Sequence, residues 1–270
     1  PSPDVAKSLD AQRLKIQDKL LQIDGLDEVS IIVTSHSKEP PNLKIGRHPE
    51  PQETTMKPQS VSKIIAIASG KGGVGKSTVS SNLAVALASK GKKIGLLDAD
   101  IYGPSLPTMT KPEKQDVVYA DNQIAPLEYE GVNLMSMGYI NRGASIMRGP
   151  MVNQILNQFV TLTNWGELDY LIVDTPPGTG DVQLTLLQRI PLTSSIVVTT
   201  PQKVAISDCK KGIEMINKLN IPISGLIENM SWFKPDQSDK KYYLFGKDGG
   251  KDLSVEYSLD LLAQLPLVEL

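Results

Sequence analysis

Apolar positions along this chain fall into short β-branched runs separated by stretches of helical spacing, and that alternation predicts an α/β fold. Residues 63–68 (Lys-Ile-Ile-Ala-Ile-Ala) read as a buried strand. Beyond it Val79, Leu83, Ala86 and Leu87 recur at helical spacing, with Gly91 as the expected stop. Residues 93–97 form a second apolar strand running into Asp98-Ala99-Asp100, and residues 168–174 a third, closing on Asp174. Residues 117–135 are expected to hold two or three short strands with a turn at Asp121-Asn122. An amphipathic helix follows over 151–162 through Met151, Ile155, Leu156, Phe159 and Leu162, with Met151 read as a core gap-filler. Strands at 195–200 and 223–227 flank a helix on which Ile206, Cys209, Ile213 and Ile216 share the apolar face. Residues 261–267 are the last strand candidate.

The first 60 residues follow a different pattern. Leu9, Ile16, Leu20 and Ile23 lie on one helical face that ends at Gly25, and residues 29–34 read as a strand. One helix and one strand cannot enclose a core. Residues 1–38 are therefore expected to be part of a small α/β domain, or an appendage, and the start at Pro1 points to a chain processed or cut from a longer one. Residues 39–60 carry Pro40, Pro41, Pro49, Pro51 and Pro58 with little apolar content, which predicts a linker before a main domain over 61–270.

Composition narrows the function classes. A formal net charge of −2 and no long basic block give no nucleic-acid footprint. No apolar run reaches membrane-spanning length and no signal-peptide pattern opens the chain, so a cytoplasmic protein without a membrane partner is expected. One cysteine excludes an intrachain disulfide, and its place on an apolar helix face predicts a buried structural thiol. His36 and His48 lie beside and within the linker, not clustered with other metal-binding residues, and read as solvated.

The chemistry concentrates where the first strand meets the first helix. Gly70-Lys71-Gly72-Gly73-Val74-Gly75-Lys76-Ser77, followed by Thr78, is a phosphate-binding loop of the pattern G-x-x-x-x-G-K-[ST]. Its glycines let successive backbone N–H groups curl around a phosphate at the positive end of the new helix. Lys76 supplies a fixed charge for the β- and γ-phosphates, and the Ser77 hydroxyl suits Mg²⁺. Asp98, Asp100 and Asp174 end apolar strands, where an open α/β sheet places its ligand crevice. Carboxylates there suit Mg²⁺ water contacts and the orientation of an attacking water. The Pro- and Gly-rich residues 175–181 after Asp174 read as a loop that changes shape with the γ-phosphate. Asn229-Met230-Ser231-Trp232-Phe233, after the 223–227 strand, lies where a base could rest.

Together these segments resemble the deviant Walker-A ATPases of the MinD/ParA/ArsA-like group, whose mark is an extra early lysine, here Lys71 beside Lys76. Within that group the chain looks closest to the Mrp/ApbC iron–sulfur cluster carrier ATPases. Residues 98–105, Arg148-Gly149-Pro150-Met151, residues 173–186 and Glu228-Asn229-Met230-Ser231 carry the likeness. The resemblance implies a P-loop NTPase fold, a doubly wound, mainly parallel sheet with helices on both faces. It also implies an ATP- and Mg²⁺-dependent homodimer that hydrolyses ATP slowly and acts with iron–sulfur client or scaffold proteins. In that pattern Lys71 reaches the other subunit's nucleotide, Asp100 orients or activates water, Ser77, Asp98 and Asp174 support Mg²⁺, and Asn229 reads the adenine edge. The family's Cys-x-x-Cys after the Asn-Met-Ser segment is absent: residues 231–238 read Ser-Trp-Phe-Lys-Pro-Asp-Gln-Ser. An iron–sulfur cluster is thus implied by resemblance alone, its usual thiolates missing. The chain also ends early relative to the family. Two other readings stand beside this one, a MinD/ParA-like ATP-gated positioning switch and a non-hydrolysing, ATP-bound adapter.

Overall fold

The computed structural model describes residues 15–17, 19–20, 56, 58, 60–110, 117–120, 122–140, 149–235 and 240–268. The chain divides into two units, Pro1–Gln52 and Glu53–Leu270. In the first, residues 15–17 and 19–20 are helical and Ile16 is half-exposed. Leu9, Ile23, the 29–34 strand, both histidines and most of the proline-rich stretch lie outside the described residues.

The second unit is built on an eight-stranded sheet. Its strands are β1 (Val61–Ala68), β2 (Ile94–Asp98), β5 (Leu127–Tyr129), β6 (Val132–Ser136), β7 (Leu168–Asp174), β8 (Ser194–Thr199), β9 (Ile223–Glu228) and β11 (Leu261–Gln264). The order across the sheet is β11-β9-β8-β1-β7-β2-β6-β5, with every pairing parallel except β5 with β6. The central strands are apolar at almost every position because both faces are covered. Leu171 and Val173 of β7 join the cluster holding Leu156, Phe159 and Trp165, while Ile172 between them joins Val79 and Ala84 on the opposite face. Helix α1 (Lys76–Ala88) covers that second face, and α4 (Gly149–Thr161) and α5 (Asp181–Arg189) cover the first. Helices α6 (Lys203–Lys218) and α7 (Gly249–Glu256) pack on Ala66, Ala68, Val197 and Leu226. This is the doubly wound, mainly parallel α/β architecture expected from the sequence.

Several expectations change in detail. Residues 117–135 give four strands, β5 and β6 in the main sheet and a separate hairpin of β3 (Val118–Ala120) with β4 (Gln123–Ala125). Asn122 turns that hairpin at φ 60°, a conformation asparagine tolerates. The last strand candidate splits at Pro266, which has no N–H to give a ladder. Upstream of it β11 edges the main sheet, and downstream β12 (Leu267–Val268) pairs with β10 (Phe233–Lys234). Met151 is 54% exposed at the start of α4 and fills no core gap, whereas Met135 in β6 is buried. Met56, read from sequence as linker, is buried in the core and its N–H donates to Arg189 O at 2.9 Å. Cys209 is fully buried on the apolar face of α6.

Candidate functional site

The carboxyl ends of β1, β7 and β2 lie side by side, and the phosphate loop leaves the first of them. Gly73 and Gly75 adopt φ 79° and 81°, so the chain reaches the first turn of α1 through a left-handed step that a Cβ would strain. Gly75 sits at the N-cap of α1 with no side chain bonding the first-turn amides, leaving those donors for an anion. Ser69 Oγ donates to Lys71 O at 3.0 Å, and Gly178 N–H donates to Ser69 O at 3.0 Å, tying the loop after β7 to the phosphate loop. Gly70 has no room for a side chain: a Cβ there would lie 2.2 Å from the Asp208 carbonyl group of α6.

Beneath the loop, Lys76 Nζ donates to Asp174 Oδ1 at 2.6 Å, and both side chains are buried. The same ammonium lies 3.5 Å from Ser77 Oγ. Asp174 Oδ2 is buried and has no hydrogen-bond partner among the described residues. An acceptor left open beside a hydroxyl in a phosphate site fits a hard cation that keeps most of its waters. Ser77 and Asp174 therefore fit Mg²⁺.

Asp98 is engaged differently. Its strand register sets it level with Asp174. Yet its Oδ2 accepts from Ser105 N (2.9 Å), Leu106 N (3.3 Å) and Ser136 Oγ (3.1 Å), and its Oδ1 from Asp100 N (3.1 Å). Burial pushes its carboxyl up to about 6, and the neighbouring Asp174 charge adds to that. Asp98 thus spends its oxygens on the loop that follows it. Asp100 is half-buried, and its Oδ1 accepts from Gly103 N at 3.2 Å.

Asn229 lies against the phosphate loop. Its Nδ2 donates to Val74 O at 2.9 Å, and a Cβ on Gly75 would fall 2.2 Å from that nitrogen. The side chain read from sequence as an adenine contact thus clasps the loop backbone in this structure. Lys71 is half-exposed at the loop's lip, and its ammonium has no ion-pair partner among the described residues. Gly72, Gly73 and Thr78 are exposed along the same rim, and Val74 is buried beneath it. Arg148 lies outside the described residues.

Sequence reasoning missed Gln183, buried on α5, whose Nε2 donates to Thr175 Oγ1 at 3.4 Å while Thr175 Oγ1 donates to Ile67 O at 2.9 Å. It also missed Ser136, the Asp98 partner. Gln183 lies within the 173–186 segment but carries no role there, Ser136 lies in none of the quoted segments, and only the fold brings both to the site.

The ParA-family profile, described as the NUBPL iron-transfer P-loop NTPase, matches residues 60–269. The chain belongs to this family. The NUBPL-type P-loop NTPase is 51% identical over 209 residues to the chloroplastic Fe-S cluster assembly factor HCF101 of Arabidopsis thaliana. That alignment covers 77% of this chain and 39% of the plant protein, so the chain spans about two-fifths of that relative's length. It is 47% identical over 216 residues to the iron-sulfur cluster carrier protein of Pseudomonas fragi, covering 77% of this chain and 74% of that one. Among solved structures it resembles a nucleotide-binding protein of Archaeoglobus fulgidus in complex with ADP. The TM-score is 0.69 at 35% identity, over 77% of this chain and 83% of that one.

The cluster named for these relatives finds few ligands here. Among the described residues no three His, Cys, Asp or Glu side chains gather as a metal-holding group. The one thiol is buried, and that burial pushes Cys209 up to about 12, far from the thiolate that iron requires. The described residues do not fit a cluster of their own. No helix among the described residues is long and apolar enough to cross a membrane.

Proposed function

We propose that this NUBPL-type NTPase binds Mg-ATP, dimerises around it and hydrolyses it slowly in iron–sulfur cluster assembly or transfer. The observation that carries the reading is the buried Lys76–Asp174 pair under a loop whose first-turn amides have no side-chain cap. A lysine and a carboxylate held together at that point make a site whose charges rearrange when phosphate arrives. The loop amides, from Gly70 to Thr78, take the phosphate oxygens, and Lys76 turns its ammonium from Asp174 toward them. Ser77 and Asp174 would hold Mg²⁺, which when bound neutralises charge on the β- and γ-phosphates. Asp98 contributes by holding its loop, through the three bonds from Asp100, Ser105 and Leu106 N–H. Asp100 orients the attacking water. Lys71, with no ion-pair partner among the described residues, reaches the nucleotide of a second copy. Asn229 braces the loop through its Nδ2 and would meet the adenine edge with its remaining amide oxygen.

The cluster is cargo in this scheme. With Cys209 buried and protonated, the chain's part in that pathway is to recognise client or scaffold proteins under the control of nucleotide.

Phosphate release by the purified chain with ATP and Mg²⁺, against a Lys76→Ala control, tests the hydrolysis. Size measurement with and without a slowly hydrolysed ATP analogue tests the dimer. Turnover equal in the two proteins, or a monomer under both conditions, overturns the corresponding part. Iron and sulfide per chain after anaerobic reconstitution test the cargo role. A stoichiometric cluster lost in Cys209→Ser would show that the chain holds the cluster itself.

A further inference from the structure

The loop that carries Asp100 is seated on a segment that no motif marks. Residues 136–140 finish β6 and form the short helix α3 (Met137–Ile140). Three contacts join this segment to residues 98–110. Ser136 Oγ donates to Asp98 Oδ2 at 3.1 Å and accepts Gly138 N–H at 3.2 Å. Gly138 lies flat against two prolines: a Cβ there would stand 2.6 Å from Pro107 Cγ and 3.3 Å from Pro104 Cβ. The Tyr139 hydroxyl bonds Thr110 Oγ1, which itself donates to Leu106 O at 2.7 Å, so Tyr139 is the donor of the pair. Ser136 is fully buried and Tyr139 is 7% exposed, so these bonds form away from water.

The arrangement has a direction. Asp98 gathers both ends of the loop, taking Asp100 N–H on one oxygen and Ser105 and Leu106 N–H on the other. Ser136 fixes the carboxylate that does the gathering. Gly138 admits the prolines that stiffen the loop, and Tyr139 holds its far end. Ser136 acts on the carboxylate that takes Asp100 N–H, while Gly138 and Tyr139 act farther along the same loop, at Pro104, Pro107 and Thr110.

We propose that Ser136, Gly138 and Tyr139 form a seat that sets the position of Asp100, which makes them positioning residues for ATP hydrolysis. This rests on the hydrolytic reading above. A carboxylate that must aim a water tolerates little displacement, because an error of about 1 Å can cost on the order of a hundredfold in rate. The seat acts on the step that uses Asp100 and leaves the phosphate loop, and with it nucleotide affinity, alone.

The test compares the full chain with its Ser136→Ala, Tyr139→Phe and Gly138→Ala variants. It reads ATP turnover, affinity for a slowly hydrolysed ATP analogue, melting temperature, and hydrogen exchange at the Ser105 and Leu106 amides. The expected result for Ser136→Ala and Tyr139→Phe is a kcat about tenfold lower or less still, analogue affinity within about twofold of the parent, and faster exchange at both amides. A kcat that stays at the parent value, or falls only in step with affinity and melting temperature, overturns the proposal and reduces the seat to core packing. Gly138→Ala should show the larger effect, and if it fails to fold the other two variants decide. If the parent chain binds ATP but releases no phosphate, the hydrolytic reading has failed. The exchange measurement then still decides whether the seat holds the loop: unchanged exchange overturns that too.

Discussion

Lys76 Nζ and Asp174 Oδ1 stand 2.6 Å apart with both side chains out of solvent. A buried pair of this kind contributes little net stability, yet losing one member strands the other's charge. Lys76→Met alone is therefore expected to destabilise the fold by about 3–5 kcal/mol, and the double variant Lys76→Met/Asp174→Leu to recover most of that. Urea unfolding of the three proteins checks the sign. Both variants should lose ADP binding, read by titration calorimetry, because the phosphate charge partner is gone in each.

Lys71 touches no carboxylate among the described residues, so Lys71→Ala should leave the fold and ATP affinity unchanged. Turnover should drop on the order of a hundredfold, as when one charge-stabilising donor is removed from a transition state. The loss should appear at all protein concentrations, whereas the parent's specific activity rises with concentration as dimers form. Parental turnover in Lys71→Ala would remove the sandwich dimer from the scheme.

Gly70 leaves no space between the phosphate loop and α6. In Gly70→Ala the new methyl would meet the Asp208 carbonyl carbon at 2.2 Å and Cys209 N at 2.5 Å, backbone atoms with no rotamer to yield. Destabilisation of about 1–3 kcal/mol or more is expected, together with loss of nucleotide binding. Gly91→Ala is the control, since a Cβ there meets nothing within 4 Å although its φ of 78° still strains the chain.

Cys209 sets a pH dependence of definite sign. Its thiol is raised from about 9 to about 12 by burial, so the folded chain keeps the proton that the unfolded chain releases. Stability from this group is intact below pH 9 and is lost as pH climbs from about 9 toward 12. Three units correspond to on the order of 4 kcal/mol. The parent should therefore lose stability across that window faster than Cys209→Ala. At pH 8 the native thiol should resist alkylation, while the urea-unfolded chain takes up one label.

The sheet was readable because parallel strands buried on both faces leave uninterrupted apolar runs, as at 63–68 and 168–174. The phosphate loop was readable because its chemistry fits within consecutive residues, from Gly70 to Ser77. What escaped has a common cause, since it depends on residues that only folding brings together. Asn229 meets Val74 across 155 positions and Ser136 meets Asp98 across 38. Neither pairing leaves a periodicity. Strands of two residues, such as β10 and β12, are too short to show alternation. For Asp98, its place at a strand end is legible in the sequence, whereas the donors that meet its oxygens are supplied only by the fold. Met151 was misjudged because its helix begins at Gly149, which turns that position outward.

The matched register of Asp98 and Asp174 means that a ladder of backbone hydrogen bonds, not the chain between them, fixes their spacing. Order along the gene is then separable from order in the site. A circular permutant opened at the Asn122 turn, outside the main sheet, keeps β1, β7 and β2 as neighbours and rebuilds the same two acids from a different start. New sequence grafted at that turn is likewise read by the solvent before it is read by the nucleotide. The hairpin is thus the place where a lineage, or an engineer, can append a new recognition element while the phosphate chemistry stays where it was.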